Sequence, residues 1–204
     1  IVSDFVRLAS VQMLSCYECE LTNSLVAGWR TLSNLKVLRL TKCLAGDGFN
    51  GKLDLPYGLE KLELEIDVSL SQKHLVLDVS NLKTLTVNCS RDILTLDKLI
   101  VLGLEKLEEI HIRNIDVHST PGLQLDRMLA VKKLVLDSVL LVGEVEGSGV
   151  RLGSGVAGEK GVVRLSNLED VELKSLMDED FYYLQEFFTP NLKSVSRDGE
   201  NVVD

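Results

Sequence analysis

No stretch of this 204-residue sequence comes near 18 uninterrupted apolar residues, so no segment is able to cross a bilayer as a helix. The opening Ile1-Val2-Ser3-Asp4-Phe5-Val6-Arg7 lacks the basic segment and apolar stretch of a secretory signal. Basic residues are outnumbered 22 to 31, which leaves a formal net charge of −9 and a pI near 4.9. A nucleic-acid binder normally lays a basic stripe over the phosphates, and this balance speaks against one. Proline is scarce, at three residues, and the rest of the composition is close to the globular average, which excludes a collagen-like or disordered chain. What remains is room for one ordinary domain with a sizeable core, or two small ones.

Leucine is what the sequence has in excess, with 39 residues, about a fifth of the chain. A repeat accounts for it. Leu35, Leu38, Leu40 and Cys43 are spaced L-x-x-L-x-L-x-x-C, and the same frame recurs from starts at 11, 35, 59, 82, 107, 131, 168 and 192. The starts are separated by 24, 24, 23, 25, 24, 37 and 24 residues, and Ser-Asn-Leu recurs at Leu35, Leu82 and Leu168. The last copy is degenerate, with Arg197 where an apolar residue is expected. In L-x-L two apolar residues share one face of a short strand, because strand side chains alternate. One such strand cannot bury its face alone, whereas stacked neighbours bury a continuous ladder.

On these residues the chain resembles a leucine-rich repeat protein over roughly residues 8 to 200. The resemblance implies an α/β leucine-rich repeat solenoid in a single domain, 1–204. A parallel sheet lines its concave side, and the convex segments are irregular and partly helical. Residues 21–30 and 121–130 are expected to form short helices. Leu75-Val-Leu-Asp-Val79 alternates like a second strand, and Leu53-Asp-Leu55 looks like a shortened version of it.

Two segments depart from the repeat. Residues 143–161 hold seven glycines and contain Gly153-Ser-Gly155-Val-Ala-Gly158. That spacing matches a nucleotide fingerprint, which needs a preceding strand and a helix opening inside the loop. Seven glycines disfavour the helix and the segment interrupts a solenoid, so a Gly-rich inserted loop is the expected structure. The second segment, 178–189, carries five of the ten aromatic residues. Asp178 is placed as a helix N-cap and Pro190 stops the helix, which is expected to pack over the last repeats.

Chemistry-bearing residues are sparse. Cys16-x-x-Cys19 resembles half of a zinc or redox site, but no second pair lies at metal spacing, and Cys16, Cys19 and Cys43 fall on inward repeat positions as buried thiols. Free thiols favour a reducing compartment, hence cytoplasm or nucleus. The three His cannot be paired by spacing with a nucleophile. No catalytic residue, cofactor or metal site is assigned, and an enzyme is not expected.

The outward positions, five, seven and eight of each repeat, line the concave side. They supply the candidate partner-binding residues Tyr17, Arg39, Lys42, Glu63, Glu65, Asn88, His111, Arg113, Asp137, Glu172 and Lys174. Their charge alternates in sign from repeat to repeat. A rigid array of this kind selects protein partners through electrostatic complementarity and a few aromatic or Arg anchors, here Tyr17, Arg39 and Arg113. Cys at the ninth position and divergent 23–25-residue spacing look most like the substrate-recognition solenoids of F-box proteins. That resemblance implies a substrate receptor of a ubiquitin ligase, with a Skp-type adaptor held by a region outside this chain. Two rivals are an extracellular ligand-binding receptor domain, which calls for disulfide-bonded end caps, and a structural subunit of a larger assembly. No nucleic-acid or membrane partner is expected.

Overall fold

A computed structural model describes residues 10–66, 75–78, 80–89, 94–95, 99–116, 130–139, 167–176, 178 and 191–202. Eight strands lie side by side in chain order, all parallel: Met13–Tyr17, Val37–Ala45, Lys61–Ile66, Thr84–Cys89, Glu109–Arg113, Lys133–Asp137, Asp170–Lys174 and Ser194–Arg197. Each begins two residues after a repeat start read from the sequence. The register is equally regular, with Leu14, Leu38, Leu62, Leu85, Ile110, Leu134, Val171 and Val195 in one row. The protein is a parallel-strand solenoid.

Alternation then sorts the side chains. Leu38, Leu40, Leu62, Leu64, Leu85, Val87, Ile110, Ile112, Leu134, Leu136, Val171 and Leu173 are all buried in one continuous core. Burying a Leu or Ile contributes about 1.5–3 kcal/mol relative to exposure, so a ladder this long offsets the ordering of its strands. The strands are also locked at entry. The carbonyl at position two of each repeat accepts two N–H bonds from the next: Lys36 O takes them from Glu60 and Lys61, and Glu108 O from Lys132 and Lys133.

The strands leave the sheet at a corner. Position eight holds a left-handed residue in five repeats, Glu18, Lys42, Asn114, Ser138 and Ser175, with φ between 49 and 55°. The Glu18 N–H donates to Thr41 O at 2.9 Å, the Asn114 N–H to Asp137 O at 3.0 Å and the Ser138 N–H to Lys174 O at 3.0 Å, so these three corners tie to the neighbouring strand. Ile66 and Cys89 occupy the same position but stay extended, and their strands run six residues. A β-branched Ile resists the left-handed region, where Cβ crowds the backbone.

Among the described residues the connecting segments are mostly extended, with one α-helix, so the structure is a mostly β solenoid and the α/β character is not established. Lys52–Leu53, Leu75–Asp78 and Leu99–Leu102 form a second parallel sheet, as the alternation at Leu53–Leu55 and Leu75–Val79 suggests. Among the described residues the helical elements are Asn23–Trp29 and a 3-10 turn at Leu104–Lys106, with Asp178 also helical. The expected helix at 21–30 is therefore present. Thr22 caps it by accepting the Leu25 N–H, and Val26 and Trp29 are buried beneath it. A period near 24 residues leaves little chain for more. The expected helix over 121–130 lies outside the described residues but for Ala130, as do the Gly-rich loop 143–161 and, apart from Asp178, the aromatic helix 178–189.

The last repeat ends the array. Arg197 pairs in register with Leu173 and donates from Nη2 to the Leu176 carbonyl and the Asp178 carboxylate, so its charge is satisfied where the core stops. Asp198 and Gly199, both at positive φ, turn the chain back, and Glu200–Asn201 pairs antiparallel with the eighth strand.

Candidate functional site

The open face of the long sheet collects the outward side chains of positions three, five and seven in rows, and the candidate residues fall in the last two. Position five runs Ser15, Arg39, Glu63, Thr86, His111, Val135, Glu172, Ser196; position seven runs Tyr17, Thr41, Glu65, Asn88, Arg113, Asp137, Lys174. Ten of the eleven residues read from the sequence as partner-binding are therefore on one surface. The eleventh, Lys42, lies inside the second strand but at a bulge between Thr41 and Cys43, where its left-handed backbone takes it out of the paired register. It still reaches that surface: its ammonium donates to the Tyr17 hydroxyl at 3.1 Å and lies 5.4 Å from the ring centroid. That bond pushes the Lys42 pKa up.

The alternation of charge on this face is largely satisfied within it. Arg39 Nε lies 2.6 Å from Glu63 Oε2, a charge pair set off the line of an N–H···O bond, and Lys61 Nζ reaches Glu63 Oε1 at 2.8 Å. Burial opposes ionisation of Glu63, yet Lys61 and Arg39 together hold its carboxyl below the usual range. Arg113 faces Asp137 at 3.9 Å, and Lys174 meets Glu172 at 2.6 Å and holds that carboxyl down. Asn114 donates to Asn88 Oδ1 at 2.9 Å. His111 is half-buried 3.8 Å from Glu109, and burial, reinforced by Lys133, lowers its pKa. Val135 interrupts the polar row and is buried.

One end of the face differs. Tyr17 is 60% exposed and Met13 52%, beside half-buried Val37, so the first strand presents aromatic and apolar surface where the later strands present paired charges.

The most regular feature of the surface lies outside these rows. Position two of successive repeats reads Lys36, Glu60, Lys83, Glu108, Lys132, Glu169, Lys193, alternating in sign without a break. Lys36 and Lys83 both reach Glu60, at 2.9 and 3.2 Å, while Lys132 meets Glu108 at 2.8 Å and Lys193 meets Glu169 at 2.7 Å. The hydrogen bonds from these lysines hold Glu60 and Glu108 below the usual carboxylate range. A reading confined to positions five, seven and eight passes over this ladder; tabulating position two alone finds it.

Elsewhere, a recess of about 490 Å³ lies beside Arg30, Lys52, Asp54, Tyr57 and Asp78. Its charges are answered locally, with Asp54 2.9 Å from Lys52 and 3.7 Å from Arg30. Among the described residues no group of three or more His, Cys, Asp or Glu is arranged to hold a metal ion, and no helix is long and apolar enough to cross a membrane. No family model, curated protein or solved structure matches the chain.

Proposed function

We propose that the chain is a protein-recognition module of the leucine-rich repeat type, taking a protein partner on its open sheet face, which is the concave side of such a solenoid. The observation that carries this reading is the contrast across that face. Charges fixed in mutual pairs cover most of it, and an exposed Tyr17–Met13 patch stands at one end. Exposed aromatics supply much of the binding energy in protein interfaces, while surrounding fixed charges set register and reject wrong partners. Tyr17 is thus the anchor, and Arg39 and Arg113 act through the pairs they form.

The resemblance to F-box substrate receptors sharpens this to capture of a substrate protein for ubiquitin transfer, with a Skp-type adaptor engaged outside this chain. Affinity purification of the full-length protein from its own cells, followed by mass spectrometry, tests both levels. The main partner is expected to fall about tenfold or more with Tyr17→Ala and to persist with Lys132→Ala, which lies off the face. Equal recovery with both variants rejects the face as the binding site. A Skp-type adaptor and cullin recovered at near-equal amounts support the ligase reading, and their absence retires it.

A further inference from the structure

The first two repeats bring three thiols together. Cys19 and Cys43 occupy the ninth position of consecutive repeats, 24 residues apart, and their sulfurs lie 3.0 Å from one another. Cys43 Sγ also lies 3.6 Å from the Cys16 carbonyl oxygen. The backbone holds this arrangement from both sides. Ahead of the thiols the Glu18 N–H donates to Thr41 O at 2.9 Å, and behind them the Leu44 N–H donates to Cys19 O at 2.9 Å. Glu20 then pairs with Leu44 in parallel register, so Cys19 stands opposite Cys43. Neighbouring strands are about 4.8 Å apart, inside the Cα separation that a disulfide spans. All three thiols are free, Cys43 buried and Cys16 and Cys19 partly open to solvent. Among the described residues no group of three or more His, Cys, Asp or Glu is arranged to hold a metal ion, and the close contact in the cluster is between sulfur and sulfur.

We propose that Cys19 and Cys43 form a site of reversible disulfide formation, with a low-molecular-weight disulfide such as oxidised glutathione as the oxidant. Cys19, the more accessible of the two, attacks one glutathione sulfur as thiolate, breaks the glutathione S–S bond and releases one glutathione. Cys43 then gives up its proton, attacks Cys19 Sγ and expels the second glutathione. Two thiols and one oxidised glutathione become one protein disulfide and two reduced glutathiones, with two electrons and both protons passing to glutathione. Burial pushes all three thiols up, Cys43 to about 12, so the exchange is slow at neutral pH and quickens as pH rises. The bridge ties the first repeat to the second, directly behind the Tyr17–Lys42 contact. It stands whether or not that contact binds a partner.

The test is to equilibrate the full chain with glutathione mixtures of increasing oxidised fraction, block remaining thiols, and map the linkages by mass spectrometry without reduction. Expected is the loss of two of the four thiols together, with Cys19 joined to Cys43, and a melting midpoint raised by about 5–10 °C. Cys16→Ser keeps the bridge; Cys43→Ser leaves a glutathione mixed disulfide on Cys19 and no rise in midpoint. A dominant Cys16–Cys19 linkage, a bridge through Cys89, or four intact thiols in a hundredfold excess of oxidised glutathione would overturn the proposal.

Discussion

The two ends of the array close in different ways. At the C-terminal end the last inward position is Arg197, whose charge is taken up by Asp178 and a carbonyl, and a two-residue antiparallel strand covers the sheet edge. Val195, two residues before Arg197, is buried like the rest of the ladder. At the N-terminal end Val11, Leu14, Cys16 and Cys19 are only partly buried, and the open face above them shows Met13 and Tyr17. A twisted, charged hairpin discourages further pairing at the edge it covers. One end is therefore sealed by charge and a turn. At the other, the described residues carry soft, sulfur-rich and aromatic side chains, which is where the proposed anchor and the proposed disulfide both fall.

The largest test of that contrast places one charge at equivalent inward positions. Leu62→Asp in the middle is expected to cost about 4 kcal/mol or more and melt several repeats, whereas Leu14→Asp, half-open already, costs about 1–2 kcal/mol. Equal losses in denaturant titration would erase the distinction between middle and end.

The sealed end responds to a smaller change. Gly199 sits at φ 89° with open space where a Cβ would go, so Gly199→Ala is purely a backbone penalty of about 1 kcal/mol. Hydrogen exchange should then speed at the Val202 amide, which bonds Val195 O at 2.8 Å, and not at the Leu38 amide.

The charge ladder gives a comparable but salt-dependent effect. Lys83→Glu sets three acids in a row with Glu60 and Glu108 and is expected to lower the melting midpoint by a few degrees at low salt. Lys193→Glu, which breaks the pair with Glu169 but has one ladder neighbour instead of two among the described residues, loses less. Both losses should shrink in 1 M salt, and a loss that persists there would assign the ladder's role to packing.

Acid separates two groups of side chains. Folded Glu63 and Glu172 carry depressed pKa values, so their contribution is present above the unfolded value of about 4.3 and is lost as pH falls through the folded values. His111 is also depressed, by burial, so the unfolded chain takes up its proton first and stability declines from about pH 6.5 downward. Chemical denaturation at pH 7.5, 5.5 and 3.5 is expected to show two steps, and His111→Gln should remove only the first.

Much of this architecture is written in the sequence because alternation and period are local signals. Leu38 and Leu40 announce a strand, and the recurrence of their frame fixes the partner strands and the register. The second sheet at Leu75–Asp78 is legible for the same reason. What escapes is set by relations between repeats. Arg39 and Glu63 look like two selected surface charges until the register puts them 2.6 Å apart. Lys42 counts as a regular strand position until the left-handed bulge moves it out of register, and Ile66 at the equivalent position stays paired because its branched side chain resists that conformation. The closing hairpin has a short-range signal, Asp198-Gly199 just after the last strand, that a search for leucine spacing does not weigh.

The position-two ladder imposes an odd–even rule on the array. Removing the single repeat that begins at Leu59 would bring Lys36 beside Lys83, like against like, and every later unit would still alternate around that one fault. Removing that repeat together with the next brings Lys36 beside Glu108 and leaves no fault at all. In electrostatic terms the unit of construction is two repeats, about 48 residues, although the unit of packing is one. An array built this way counts in pairs, and shortened or lengthened versions of this protein should tolerate even changes better than odd ones.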